Sequence, residues 1–201
     1  MTAIYLVRHG LNDYVEQGKL AGWLPGVHLN AAGREQAVRT AEMLRRVKLQ
    51  AVYSSPLERA TETAEEIASL QGLDVRILSG LGELRIGRWE GLSLRAARRR
   101  KLWPIIQRAP SLARFPDGES FLEAQSRIVE TLEGLRSEHS GAIACVSHAD
   151  PIKLAIGYYI GLPLDLFQRL HVEPASISEL SIEDGFARLI QLNVILQLSP
   201  P

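Results

Sequence analysis

One cysteine, no net charge and no long apolar run set the first limits on this chain of 201 residues. Cys145 stands alone, so it can form neither an internal disulfide nor a thiolate metal cluster. His9, His28, His139, His148 and His171 show none of the short spacings of a metal-binding pair, and neither a metal ion nor a cofactor is expected. Lysine plus arginine number 23, as do aspartate plus glutamate. A formal charge of zero offers no general attraction to nucleic acid or to an anionic membrane, so any basic site must be local. Hydrophobic residues make up 46%, enough for a sizeable core, yet every apolar run falls far short of the ~20 residues that cross a bilayer. Met1 leads straight into Ile4-Tyr5-Leu6-Val7 without the layout of a secretory signal, so a soluble, cytoplasmic protein is expected. The even composition reads as one domain over 1–201, and the sequence neither requires nor opposes a homodimer.

Apolar patterning then gives an order of elements. Ala3 to Val7 is a β-branched run that stops at Arg8-His9-Gly10, a buried strand ending in a turn. From the cap candidate Asn30, residues Ala37, Ala41, Leu44 and Val47 repeat at helical spacing. Ala51-Val52-Tyr53 reads as a second strand, and Pro56 opens a helix with Leu57, Ala60, Ala64 and Ile67 inside. Val75 to Leu78 is a third strand, followed by a glycine-punctuated loop from Gly80 to Gly91. An Arg-rich helical stretch kinked or broken by Pro104 belongs to a segment, residues 93 to 117, read as a helical insertion over the core. Phe121, Ala124, Ile128, Leu132 and Leu135 define a long amphipathic helix. Ala142 to Val146 is a strand ending at Ser147-His148, residues 150 to 161 are helical, and Ser176 to Ile182 and Ala187 to Val194 are two closing antiparallel strands. Helices alternating with apolar strands predict a three-layer α/β/α sandwich around a mostly parallel sheet with an antiparallel edge. Ligands of such folds sit beyond the carboxyl ends of the strands, where both histidine-bearing turns would meet.

If Arg8, His9, Arg59 and His148 converge, they form an anion site, and guanidinium groups favour phosphate because they match its oxygens bidentately. Phosphoryl transfer is mostly positioning and charge neutralisation, which two arginines and a histidine can supply without a metal. His9 is then the nucleophile, kept neutral by the flanking guanidiniums, and Gly10 lets backbone and substrate approach. Glu83, in Gly82-Glu83-Leu84, is assigned as general acid and later base, with Glu90 as its rival. Singly, each residue has a plainer reading. Arg59 would be a first-turn arginine paired with Glu58 or Glu62, Glu83 a solvated carboxylate, His148 a satisfied histidine near a helix start, and Cys145 a small buried strand residue. Arg98-Arg99-Arg100-Lys101 reads first as a solvated helix face, and more pointedly as a trap for a second anionic group.

Four separated motifs, in order, resemble the histidine phosphatase superfamily, also called phosphoglycerate mutase-like. They are Leu6-Val7-Arg8-His9-Gly10 with the segment Leu20 to Ala37, Ser54-Ser55-Pro56-Leu57-Glu58-Arg59-Ala60, Glu83 to Gly91, and Val146-Ser147-His148. The resemblance implies a phosphohistidine intermediate on His9, no metal, phosphate contacts by Arg8, Arg59 and His148, and Glu83 as proton donor. It extends substrate contact to Asn12, Ala21, Gly22 and Ala149. This chain departs from the pattern at Leu11 and Asn12, where the family carries an acid or amide and then a hydroxyl. It also has Ala21 and Ile86 where mutases carry a hydroxyl residue and a tyrosine, and Ala149-Asp150 after the last histidine. An acidic residue there disfavours highly anionic substrates, and the segment before the long helix is short for a mutase. Hydrolysis of a small phosphorylated metabolite is therefore the leading expectation. A cofactor-dependent phosphoglycerate mutase is the alternative, and a non-catalytic phospho-ligand module the second.

Overall fold

The computed structural model describes residues 1–183 and 186–196. Strand β1 (Thr2–Arg8) leads to a single turn of helix, α1 (Asp13–Glu16), and to α2 (Ala31–Leu44). Asn30 caps α2 as expected, its side chain accepting from the Gly33 N–H, and the helix stops a turn short of Val47. β2 (Leu49–Ser54) is followed by α3 (Glu58–Gln71), whose first turn begins two residues after Pro56, so that proline shapes the approach rather than the helix start. Gly72 closes α3 in the left-handed conformation. β3 is short (Val75–Ile77).

Residues 93–117 contain two short helices, α4 (Leu94–Ala97) and α5 (Trp103–Arg108). Pro104 falls in the first turn of α5, where its missing N–H removes no intrahelical bond, so it begins a helix instead of breaking one. The basic run Arg98 to Lys101 forms the turn between them. α6 (Phe121–Glu138) starts with a complete capping box between Ser120 and Glu123 and buries Phe121, Ala124, Ile128, Leu132 and Leu135 along one stripe. β4 (Ala142–Ser147), α7 (Ala149–Tyr159), β5 (Ile177–Glu183) and β6 (Phe186–Val194) complete the order.

The strands form one sheet in the order β3-β2-β4-β1-β5-β6. Pairs β3–β2, β2–β4 and β4–β1 are parallel, whereas β5 and β6 add antiparallel strands at one edge. Alternation along the buried strands sorts side chains to two faces. Ile4, Leu6, Ile143 and Cys145 meet Ile128, Leu132, Ile152 and Ile156 of α6 and α7. Val7, Val52, Ala144 and Val146 meet Ala41, Leu44, Ala60, Ala64 and Ile67 of α2 and α3. The expected three-layer α/β/α arrangement is therefore present. A third apolar cluster, with Leu84, Ile86, Trp89, Ala97, Ile106, Phe115, Phe121 and Phe167, ties residues 84–115 to α6.

Candidate active site

Register brings the two histidine turns together. β1 and β4 run parallel with Arg8 opposite Ser147, so the next residue of each strand, His9 and His148, leaves the sheet side by side. The His9 N–H donates to the Ser147 carbonyl at 3.0 Å, and the Ser55 N–H at the end of β2 donates to the Val146 carbonyl at 2.9 Å. The imidazole centroids lie 5.0 Å apart at an interplanar angle of 61°.

The turn after His9 is held by neighbours on two helices. The Gly10 N–H donates to Thr63 Oγ1 at 3.1 Å, that hydroxyl donates to the Arg59 carbonyl at 2.8 Å, and the Leu11 N–H donates to Gln36 Oε1 at 2.8 Å. Thr63 thus joins the His9 turn to the helix that carries Arg59. Glycine is required because the turn and the start of α2 nearly touch: a Cβ on Gly10 would lie 2.5 Å from the Gly33 carbonyl oxygen, and one on Gly33 would lie 1.9 Å from that of Leu11.

His9 Nδ1 lies 2.7 Å from the Gly10 carbonyl, which can only accept, so Nδ1 carries the proton and Nε2 the lone pair. Arg59 Nε donates to that Nε2 at 3.3 Å, and Arg59 Nη2 donates to the Gly22 carbonyl at 3.0 Å. Arg8 Nη1 donates to the Val172 carbonyl at 2.7 Å. His148 Nε2 meets Ser55 Oγ at 2.8 Å, and its Nδ1 lies 3.8 Å from Glu83 Oε2. Asn12 caps α1 through its side-chain oxygen, which accepts from the Val15 N–H at 2.9 Å.

Arg8, His9, Asn12, Ala21, Gly22, Arg59 and Glu83 line one cavity of about 230 Å³. His148 is fully buried beside His9, and neither it nor Ala149 lines the cavity wall. Among the described residues, five buried side-chain atoms lack a hydrogen-bond partner. Four of them are nitrogens of this group: Arg8 Nε, Asn12 Nδ2, Arg59 Nη1 and His148 Nδ1. Buried donors are ordinarily satisfied, so this concentration marks a place for acceptor oxygens. Glu90 instead accepts from the Trp23 N–H at 3.0 Å, which gives the rival carboxylate a structural role. The remaining wall is largely apolar, from Val15, Leu20, Leu84, Ile86 and Leu94, with Lys19 and Asp150 at its polar margin. Of residues 93–117 only Leu94 reaches the cavity, and none of Leu164 to His171 does.

Burial sets the protonation states. It is the main cause holding His9 well below the ordinary histidine value, with the charges of Arg59 and Arg8 adding to it. His148 is lowered in the same way, by burial first and then by Arg59. Glu83 goes the other way. Burial, reinforced by the negative charge of Asp150, pushes it up to about 7 against the pull of Arg59, the Leu84 N–H and Arg8. A neutral imidazole base thus faces a carboxyl that keeps its proton near neutrality.

Sequence reading missed the supporting residues, Thr63, Gln36, Ser55 and Arg127, whose hydrogen-bonding roles depend on tertiary proximity. Among the described residues no group of three or more His, Cys, Asp and Glu is placed to hold a metal ion, and no helix is long and apolar enough to cross a membrane.

A doubly wound sheet whose strand ends gather two histidines, two arginines and a carboxyl at one cavity is the arrangement of charge and donors that the class of phosphoryl-transfer enzymes calls for. The particular family follows from comparison: residues 4–195 match the profile of the histidine phosphatase superfamily, branch 1, and the chain belongs to that family. Phosphoserine phosphatase 1 of Hydrogenobacter thermophilus is 29% identical over 98% of this chain and 95% of its own length. "Probable phosphoglycerate mutase GpmB" of Escherichia coli is 29% identical over 92% of this chain and 87% of its own. Among solved structures, a mycobacterial glucosyl-3-phosphoglycerate phosphatase complexed with VO3 superposes with a TM-score of 0.88 at 26% identity, covering 95% of this chain and 98% of that one. An Entamoeba histolytica phosphoserine phosphatase mutant in complex with phosphoserine gives 0.88 at 25% identity, covering 96% and 97%. Family and relatives together make this chain a phosphatase-class hydrolase.

Proposed function

We propose that the chain hydrolyses a small phosphorylated metabolite in two metal-independent steps through His9. The observation that carries this reading is the tautomer of His9: its Nδ1–H is committed to the Gly10 carbonyl, which leaves Nε2 as the nucleophilic atom beside Arg59. In the first step Nε2 attacks phosphorus, the bond from phosphorus to the ester oxygen breaks, and the proton of Glu83 passes to the departing alcohol. Arg8, Arg59 and the Asn12 amide are the cavity-lining donors for the phosphoryl oxygens, and the Nδ1–H of His148 is held outside that lining, 3.8 Å from Glu83 Oε2. Ser55 supports that tautomer of His148, since its hydroxyl can donate to Nε2 while accepting from the Leu57 N–H. In the second step the Glu83 carboxylate takes a proton from water, the water oxygen attacks phosphorus, and the N–P bond breaks to release inorganic phosphate.

His9→Ala should lose turnover of an aryl phosphate almost completely while keeping the wild-type circular dichroism spectrum. Quenching wild type with labelled substrate should leave acid-labile, base-stable phosphate on the protein, and His9→Ala should show none. Undiminished turnover by His9→Ala would refute the assignment. Because the charges that neutralise the phosphoryl group are protein side chains, activity should persist in excess chelator; its loss there would overturn the metal-independent reading.

Similarity to GpmB motivates a mutase as the second reading. It requires interconversion of 3- and 2-phosphoglycerate with a bisphosphorylated primer, and release of inorganic phosphate alone would eliminate it.

A further inference from the structure

Glu83 sits on a loop that packs beside α6, and one side chain of that helix ties down three of the loop's carbonyls. Arg127, in the second turn of α6, donates from Nη1 to the Gly80 carbonyl at 2.8 Å and the Gly82 carbonyl at 3.0 Å. From Nη2 it donates to the carbonyl of Glu83 itself at 3.3 Å and to Glu119 Oε1 at 2.6 Å, and from Nε to Glu119 Oε2 at 3.3 Å. Glu119 turns back to the same loop: its Oε1 accepts from the Arg85 N–H at 2.9 Å, and its own N–H donates to the Arg85 carbonyl at 2.8 Å. The pair is largely buried, with 22% of the Arg127 side chain and 11% of the Glu119 side chain exposed.

We infer that Arg127, braced by Glu119, is a positioning residue that fixes the backbone of residues 80–85 and so aims the Glu83 carboxyl at the departing alcohol. The inference rests on Glu83 being the general acid. A guanidinium suits this task and a hydrocarbon does not, because three carbonyls and a carboxylate converge on one planar fork of donors. Trp23 adds a fourth tie, its indole N–H donating to the Glu83 carbonyl at 2.6 Å. Residues on both sides of the acid are thereby anchored while its side chain is left to move a proton. A displacement on the order of 1 Å far from the reacting atoms can cost about 10²-fold in rate.

The test compares kcat/KM, which reports the steps through departure of the alcohol, across monoesters whose leaving groups range from 4-nitrophenol to a simple alkanol. A good leaving group needs no proton, so a misaimed acid shows only on the poor ones. Arg127→Ala should lose less than about threefold on 4-nitrophenyl phosphate and about 10²-fold or more on the alkyl ester, within the ordinary range for general acid catalysis. Glu119→Gln should show the same slope more weakly, and Arg127→Lys, which can still reach a carbonyl, should recover part of the alkyl activity. Glu83→Gln supplies the reference. If it shows the steep leaving-group dependence and a folded Arg127→Ala instead loses activity equally on all esters, the positioning role is overturned. If Glu83→Gln itself lacks the dependence, the acid assignment is what fails. Should Arg127→Ala not fold, Arg127→Lys and Glu119→Gln carry the comparison, and a flat response in both overturns the inference.

Discussion

Burial in one enclosure acts in opposite senses on Glu83 and on the histidines, because it penalises whichever form carries charge. For His9 and His148 it removes the proton, and for Glu83 it retains it. The expectation drawn from sequence named the flanking guanidiniums as what keeps His9 neutral; they contribute, but burial comes first. The kinetic consequence is a kcat/KM profile that holds on the acid side and falls as pH rises through about 7, where Glu83 loses its proton. Glu83→Gln should be slower on an alkyl ester by about 10²- to 10⁴-fold and should lack that alkaline limb, any remaining pH dependence belonging to the substrate. An unchanged limb in the variant would assign it elsewhere. Stability follows from the same shift by linkage. The folded carboxyl binds its proton more tightly than the unfolded one, so this group costs nothing below the ordinary glutamate value and progressively destabilises the fold as pH rises toward 7. Chemical denaturation at pH 5 and pH 8 should therefore show Glu83→Gln gaining stability relative to wild type at the higher pH. The buried histidines have the reverse sign. Their folded values lie below the unfolded one, so stability is lost as pH falls below the ordinary histidine range.

At the scale of elements, what was legible in the sequence was whatever a local rule determines. Asn30 places the start of α2 because a side-chain oxygen can satisfy an end N–H only there. Pro104 and Pro56 were misjudged because proline is equally at home inside a first turn and just before one, and only packing decides which. The approach of α2 to the His9 turn was not legible at all. Gly33 looks like an ordinary first-turn glycine, yet a methyl group there would sit 1.9 Å from the Leu11 carbonyl oxygen, with backbone on both sides and no flexible end to yield. Gly33→Ala should therefore cost about 1–3 kcal/mol or more, as overpacking against backbone does. Because Leu11 follows the turn that fixes His9, kcat/KM on an aryl phosphate should fall as well. Denaturant titration together with that assay checks both. A variant with wild-type stability would mean that α2 can slide away from the turn without cost, and Asn30→Ala, expected to lose only about 1 kcal/mol of cap energy with little change in rate, separates helix stability from the contact.

For the whole molecule, the residues of the site and the meeting of both histidine turns beyond the strand ends were readable, while the strand order that brings them together was not. Arg8-His9-Gly10 and Ser147-His148 each announce a polar strand end, but only the insertion of β4 between β1 and β2 makes those ends neighbours, and strand order is set by burial summed over the sheet. The same summation decides where charge can act. With no net charge, the chain offers a phosphate ester no long-range field, and attraction is confined to donors within the cavity. Arg98 to Lys101 tests this directly. They are exposed, they form the turn between α4 and α5, and none lines the cavity, so their use as a trap for a second anionic group finds no support in the geometry. Replacing all four with glutamine should leave kcat/KM for an aryl phosphate with no second charged group within about twofold, since exposed charges are screened over a Debye length of about 8 Å at physiological salt. The informative substrate is one that carries a carboxylate beside its phosphate, measured at low and at physiological salt. If the basic turn is only a solvated surface, the two substrates respond alike at both salt concentrations. A loss above about tenfold confined to the carboxylated substrate, relieved by salt, would show that the turn closes over the cavity in the complex and captures the second anion after all.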